Sequence, residues 1–92
     1  MSELRRNVTI VNKRGLHARA SAKFVGAVAA LPEGVDVRVA KDGNEAAGGS
    51  ILGLMMLGAA KGDNVDVIVG GSDAENVLVE LVGLIENGFG ED

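Results

Sequence analysis

The fold follows most directly from the stretch Val35-Asp-Val-Arg-Val-Ala-Lys-Asp-Gly-Asn-Glu-Ala-Ala47. Apolar and polar residues alternate over residues 35–39, which predicts a strand with one buried face. Asp42-Gly43 is a two-residue hairpin signal, because both residue types tolerate the positive φ of a type I′ turn. Residues 44–47 are then the returning strand, although they are weak in strand formers. This stretch therefore predicts an antiparallel sheet.

Similar patterns on both sides of the hairpin predict two more strands and three helices. The strands are expected at residues 7–11 and 64–69, and the helices at residues 18–31, at 51–57 and after a capping box at Ser72-Asp-Ala-Glu75. The element order is then βαββαβα. It predicts an α+β fold, an open-faced two-layer sandwich in which three helices cover one face of a mostly antiparallel four-stranded sheet.

Length and composition limit the possible classes of protein. We expect residues 1–92 to form a single domain, since domains commonly contain about 50–200 residues. The chain has no Cys and one His, which excludes disulfides, a thiolate nucleophile and the usual metal sites, so no metal and no cofactor is expected. The longest nearly apolar run, residues 51–60, is half of what a membrane span needs. We therefore expect a cytoplasmic protein without membrane insertion.

Charge is distributed unevenly along the chain. Residues 1–41 hold eight of the nine Lys and Arg residues but only three of the thirteen acids. Four of these cations surround the single histidine within eleven residues: Lys13, Arg14, Arg19 and Lys23. The net charge of −4 and the presence of only two aromatic residues argue against nucleic acid as a partner.

His17 is the main candidate for chemistry. It stands where the helix of residues 18–31 should begin, although histidine is not a favoured N-cap residue. A helix N-terminus with nearby cations is a favourable site for phosphate, so the position suits phosphoryl transfer. A surface histidine followed by arginine is nevertheless common, and these residues alone leave an ordinary structural role open.

Two segments give the chain a resemblance to a known family. Arg14-Gly-Leu-His-Ala-Arg19 is similar to the active-site segment of the HPr family, the histidine-containing phosphocarrier proteins of the bacterial sugar phosphotransferase system. Gly49-Ser-Ile-Leu-Gly-Leu-Met-Met-Leu-Gly58 is similar to the regulatory-serine segment of that family. The resemblance covers nearly the whole chain, in the same order.

The resemblance implies a role for three residues. His17 would carry the phosphoryl group on Nδ1, Arg19 would contact that group, and Ser50, also a natural N-cap, would be the target of an HPr kinase/phosphorylase. Enzyme I, charged by phosphoenolpyruvate, would be the donor and EIIA-type proteins the acceptors, in sugar uptake or in a regulatory relay. The chain would then be a relay protein, expected as a monomer, rather than an enzyme. Ala20 departs from the family pattern, which usually has proline there.

The apolar run after Ser50 is a candidate docking surface. It contains more large apolar residues than one short helix buries, so we expect a partly exposed patch formed by Ile51, Leu52, Leu54, Met55 and Met56. Glu91 and Asp92 are expected to form a solvated acidic tail rather than part of a site.

Two other classes of function are open at this point. A non-catalytic regulator of the same fold, controlled by phosphorylation of Ser50, would use the apolar patch without turnover at His17. An acyl carrier protein is also small, acidic and free of cysteine, but it is a helical bundle with Asp-Ser-Leu at its prosthetic-group serine. This chain has Gly49-Ser50-Ile51 and clear strand patterns instead.

Overall fold

Strands and helices alternate along the chain in the computed structural model, which describes residues 3–91. The elements are β1 (Glu3–Thr9), α1 (Ala18–Ala29), β2 (Val35–Lys41), β3 (Asn44–Ala47), α2 (Ile51–Met56), β4 (Asn64–Gly71) and α3 (Ala74–Glu86), followed by a 3₁₀ turn at Gly88–Gly90. The strand order is β1-β4-β2-β3, and each neighbouring pair is antiparallel. The predicted βαββαβα order and the open-faced α+β sandwich are confirmed.

The hairpin between β2 and β3 forms where the sequence predicts it. Asp42 and Gly43 have φ angles of 51° and 85°, the positive values that a type I′ turn requires. The turn sets the register of the pair, with Lys41 opposite Asn44 and Val39 opposite Ala46. The weak strand formers of β3 are therefore held by the turn and by their pairing with β2.

The core lies between the sheet and the helices. Valines on the inward face of the sheet pack against apolar side chains of α1 and α3, because removing these surfaces from water is the main driving force for folding. The most deeply buried members include Val39, Val65, Val67 and Val69 from the sheet, and Phe24, Leu81 and Ile85 from the helices.

The prediction from the sequence was wrong for the bounds of β1 and for the N-terminal cap of α3: β1 begins and ends earlier in the chain than predicted. β1 ends at Thr9, since Ile10 exchanges backbone hydrogen bonds with Gly62 and Asp63 of a loop rather than with a strand. The capping box at residues 72–75 does not form: the N-cap of α3 is Asp73, in the left-handed region with φ 58°, and its side chain accepts from Asn76 Nδ2 at 2.8 Å instead of from the backbone. Asp tolerates that conformation, which lets the chain turn sharply out of β4.

The outward face of the sheet, which no helix covers, carries charges that pair with one another. Arg5 Nη1 lies 2.8 Å from Asp66 Oδ2. Arg38 of β2 forms ion pairs with three acids, one each from β1, β2 and β3: Glu3, Asp36 and Glu45. Ile68 of β4 pairs with Arg5 on one side and with Arg38 on the other, and its side chain is buried between them. We call this surface the open face.

Candidate functional site at the N-terminus of α1

A rigid loop places His17 at the start of α1. The side chain of Asn12 donates to the carbonyl oxygen of Gly15 at 2.8 Å, and the Leu16 amide donates to the carbonyl oxygen of Ala59 at 3.0 Å. Gly15 has φ 61°, and a Cβ at this position would collide with the same Ala59 carbonyl. The loop therefore requires glycine for both its conformation and its packing.

His17 is the N-cap residue of α1, but its ring does not cap the helix. Its backbone is extended, and its carbonyl oxygen accepts from the Ser21 amide at 2.9 Å. Its imidazole is turned away from the helix backbone, with 15% of the side chain exposed. The ring of this unusual N-cap residue is therefore not used to cap the helix.

Four cations share an open depression with His17. The depression has a volume of about 380 Å³ and is lined by Lys13, Arg14, His17, Arg19, Lys23, Gly90 and Glu91. The cations that lie close together in the sequence therefore also lie close together in the structure. Arg19, the second residue of α1, is exposed. None of the four cations forms an ion pair with a carboxylate of residues 3–91.

Glu91 belongs to this site, so the expectation of a solvated tail is wrong for that residue, whereas Asp92 lies outside the described residues. Glu91 Oε2 lies 2.8 Å from His17 Nε2, and Glu91 Oε1 accepts from Asn12 Nδ2 at 3.1 Å. Phe89 carries the chain back to the site: its side chain is buried, and its carbonyl oxygen accepts from Lys23 Nζ at 2.7 Å. The signal in the sequence was an aromatic residue between two glycines after the last helix.

The surroundings of Glu91 favour its ionised form. Partial burial raises the pKa of this carboxyl, but hydrogen bonds from His17 and Asn12, together with the charge of Lys23, outweigh that effect and lower the pKa. A carboxylate, which only accepts hydrogen bonds, therefore faces the ring at working pH.

Ser50 and the residues after it form a second feature. Ser50 caps α2, and its Oγ accepts from the Gly53 amide at 2.9 Å, which confirms the predicted cap. Ile51, Leu52, Met55 and Met56 are exposed, up to 76% for Met56, and we call them the α2 patch. Leu54 was predicted as part of the patch, but it is 0% exposed because helical periodicity turns it toward the core.

The α2 patch lies on a helix that contacts α1. α2 packs against α1, and Ala59 of the loop after α2 bonds to Leu16 next to His17. Ala20, at the position where proline is usual in the family, is fully buried in the first turn of α1.

Within residues 3–91 no group of three potential metal ligands comes together. In the same part of the chain, none of the helices is long and apolar enough to cross a membrane.

Comparisons with known proteins agree on one family. The family model for the phosphorylation site of the PTS HPr component matches residues 4–87. Phosphocarrier protein HPr of Pseudomonas aeruginosa is 45% identical over 85 residues, covering 91% of this chain and 92% of the relative. Phosphocarrier protein NPr of Escherichia coli is 35% identical, covering 97% and 98%. A crystal structure of HPr from Thermoanaerobacter tengcongensis has a TM-score of 0.86 and 38% identity, covering 100% and 99%.

Proposed function

The chain belongs to the HPr family of phosphotransferase-system phosphocarriers, and on that premise we propose that it accepts a phosphoryl group on His17 from Enzyme I and passes it to EIIA-type proteins. Phosphoenolpyruvate is the original donor. The observation that carries the proposal is the position of the chain's single imidazole, at a helix N-terminus, in a depression lined by four cations. In this relay the protein is a carrier rather than an enzyme, and Enzyme I is the enzyme that charges it.

The site supplies what phosphoryl transfer needs. A lone pair of the His17 ring forms the new N–P bond while the bond between phosphorus and the donor breaks, its electron pair staying with the donor. The reaction depends mainly on positioning and on stabilisation of charge spread over the phosphoryl oxygens. Arg19 fits the second task, because its planar guanidinium can bind two oxygens at once.

The α2 patch is the proposed docking surface for Enzyme I and for the acceptors. Four exposed apolar side chains within six residues, two of them methionine, are suited to bind several partners in turn. The packing of α2 against α1 places this surface next to the helix that begins at His17.

Ser50 is the proposed regulatory position. A phosphate on its Oγ would stand at the start of α2, where negative charge is tolerated or mildly stabilising. It would also place that charge beside the α2 patch, where burial in an interface is costly. Ser50→Asp should raise the KM for this protein in the Enzyme I reaction while the melting temperature changes little. Unchanged kinetics with Ser50→Asp and with the phosphorylated protein would leave Ser50 as a cap alone.

Mass measurement after incubation with purified Enzyme I and phosphoenolpyruvate tests the main proposal. We expect one phosphoryl group, lost in acid because a phosphorus–nitrogen bond is labile there, and no incorporation into His17→Ala. Acid-stable incorporation would overturn the assignment. Phosphorylation of Ser50 by a protein kinase in a protein that Enzyme I does not charge would favour the regulatory alternative.

A further inference from the structure

Three side chains form a hydrogen-bonded chain that ends on the His17 ring. Asn12 Nδ2 donates to Glu91 Oε1 at 3.1 Å, and Glu91 Oε2 lies 2.8 Å from His17 Nε2. Asn12 is 3% exposed, and the side chains of Glu91 and His17 are 18% and 15% exposed. The arrangement is therefore largely shielded from water.

The direction of each hydrogen bond follows from the chemistry of the groups. Both neighbours of the Asn12 amide nitrogen are oxygen acceptors, the Gly15 carbonyl and the Glu91 carboxylate, so Nδ2 must face them. The carboxylate only accepts, so the contact with His17 requires the hydrogen on Nε2. A neutral ring protonated on Nε2 has its free lone pair on Nδ1.

We infer that Glu91 is a positioning residue for phosphoryl transfer: held by Asn12, it fixes the His17 ring with Nε2 protonated and Nδ1 presented as the acceptor. This inference rests on the proposed function. Glu91 touches neither the phosphoryl group nor the donor, and it acts through the orientation and charge of the ring.

The role of Glu91 extends through both halves of the relay. When the Nδ1 lone pair forms the N–P bond, the ring keeps its Nε2 proton and gains a positive charge, which the carboxylate faces at hydrogen-bond distance. When the phosphoryl group leaves, the electron pair of the N–P bond returns to Nδ1 and the ring is neutral again. No proton has to move from Nε2 in either direction.

The position of Glu91 is built into the fold rather than left to a mobile end. Phe89, two residues earlier, is buried at 1% exposure, and its carbonyl oxygen accepts from Lys23 Nζ. Lys23 belongs to α1, the helix that His17 begins. The ring and its carboxylate partner are thus fixed to the same helix, which is what accurate positioning requires.

Steady-state kinetics of Enzyme I with full-length variants test the inference. Glu91→Ala should lower kcat roughly tenfold, the size expected for one charge-assisted hydrogen bond, with little change in KM. Glu91→Gln should recover part of the loss, because its amide oxygen accepts from Nε2 without the charge. Glu86→Ala is the matched control, since it removes an equally negative, exposed side chain from the end of α3.

Nitrogen-15 NMR of the ring gives a second readout, unambiguous in a protein with one histidine. The wild type and Glu86→Ala should show a protected Nε2 hydrogen and an unprotonated Nδ1, and Glu91→Ala should lose the protection of the Nε2 hydrogen. Wild-type kcat in Glu91→Ala, an effect on KM alone, or an unchanged Nε2 signal would overturn the inference while leaving phosphorylation of His17 intact. A wild-type protein that Enzyme I fails to charge would instead overturn the proposed function, and the inference with it.

Discussion

The open face and the His17 depression are both rich in charge, but they treat their cations in opposite ways. On the open face, Arg5 of β1 pairs with Asp66 of β4, and Arg38 of β2 pairs with Glu45 of β3 and Glu3 of β1. Arg5, Glu45 and Asp66 line a depression of about 320 Å³ on this face. Around His17, four cations line a depression of about 380 Å³, and no carboxylate of residues 3–91 pairs with them. Charges that are already paired stabilise structure, whereas clustered unpaired cations favour the arrival of an anion.

The pairing on the open face favours the charged forms of its side chains. Hydrogen bonds that Arg38 donates to Glu45 and Glu3 raise the pKa of Arg38. A hydrogen bond from Asn7, followed by one from Arg5, lowers the pKa of Asp66 despite its partial burial. Such exposed pairs contribute little to stability, because water and salt screen them. The open face therefore stabilises the fold through several weak ion pairs.

The largest difference should appear when one variant from each region is compared for both phosphorylation and thermal stability. His17→Ala should abolish acceptance of the phosphoryl group and lower the melting temperature only slightly, because the ring adds one hydrogen bond to Glu91 but little packing at the loop–helix junction. Arg38→Ala should do the reverse, lowering the melting temperature with phosphorylation intact. Thermal melting and Enzyme I assays of both variants check this, and equal effects on both properties would remove the distinction.

The two depressions also differ in how much they tolerate a glycine replacement. Gly15→Ala should lower the free energy of unfolding by about 2–4 kcal/mol. The new Cβ would collide with the Ala59 carbonyl oxygen, and alanine is strained in the left-handed conformation of this residue. Gly43→Ala, at the hairpin turn beside the open face, has φ 85° but no atom near the new Cβ, so only about 1–2 kcal/mol of backbone strain is expected. Urea denaturation measures both, and similar losses would mean that the site loop is not held by packing.

Arginines from the two regions should respond differently to truncation. Arg19→Ala should slow phosphoryl transfer roughly tenfold with little effect on docking, the loss expected for charge-assisted hydrogen bonds to the transferring group. Arg5→Ala removes the same charge from the open face and should leave the transfer rate unchanged. Single-turnover rates and binding affinities for Enzyme I distinguish these outcomes, and a loss in affinity alone would make Arg19 an interface residue.

The smallest effects should appear in the acid dependence of stability. The folded-state pKa is lowered for both Asp66 and Glu91, so each contributes stability that is present above the unfolded-state value, about 4, and is lost as the pH falls through the folded value. Asp66→Asn and Glu91→Gln should therefore be less stable than the wild type at pH 7, and the difference should shrink in acid. Urea titrations at several pH values check the sign, and a difference that grows in acid would contradict it.

The sequence predicted the parts of this molecule that depend on local rules. The alternation at Val35–Val39, the Asp42-Gly43 turn and the Ser50 cap each act through a few neighbouring residues, and all are present in the structure. The role of Asp73 was not predicted, because a residue in the left-handed conformation stands where a capping box was expected. The burial of Leu54 was not predicted, because the composition of an apolar run does not say which side of its helix faces the core.

The site was predicted where its residues are close in sequence and missed where they are not. Lys13, Arg14, Arg19 and Lys23 surround His17 in the chain as they do in space. Glu91 is 74 residues away and reaches the ring only because Phe89 is buried, which is a property of the assembled core and not of any local pattern.

The route of the chain past Phe89 has a practical consequence for anyone who labels this protein. Because Glu91 lies against the His17 ring, a tag or dye attached at residue 91 would lie at the rim of the cationic depression. An acidic or bulky tag there would obstruct the approach of a donor without touching the fold.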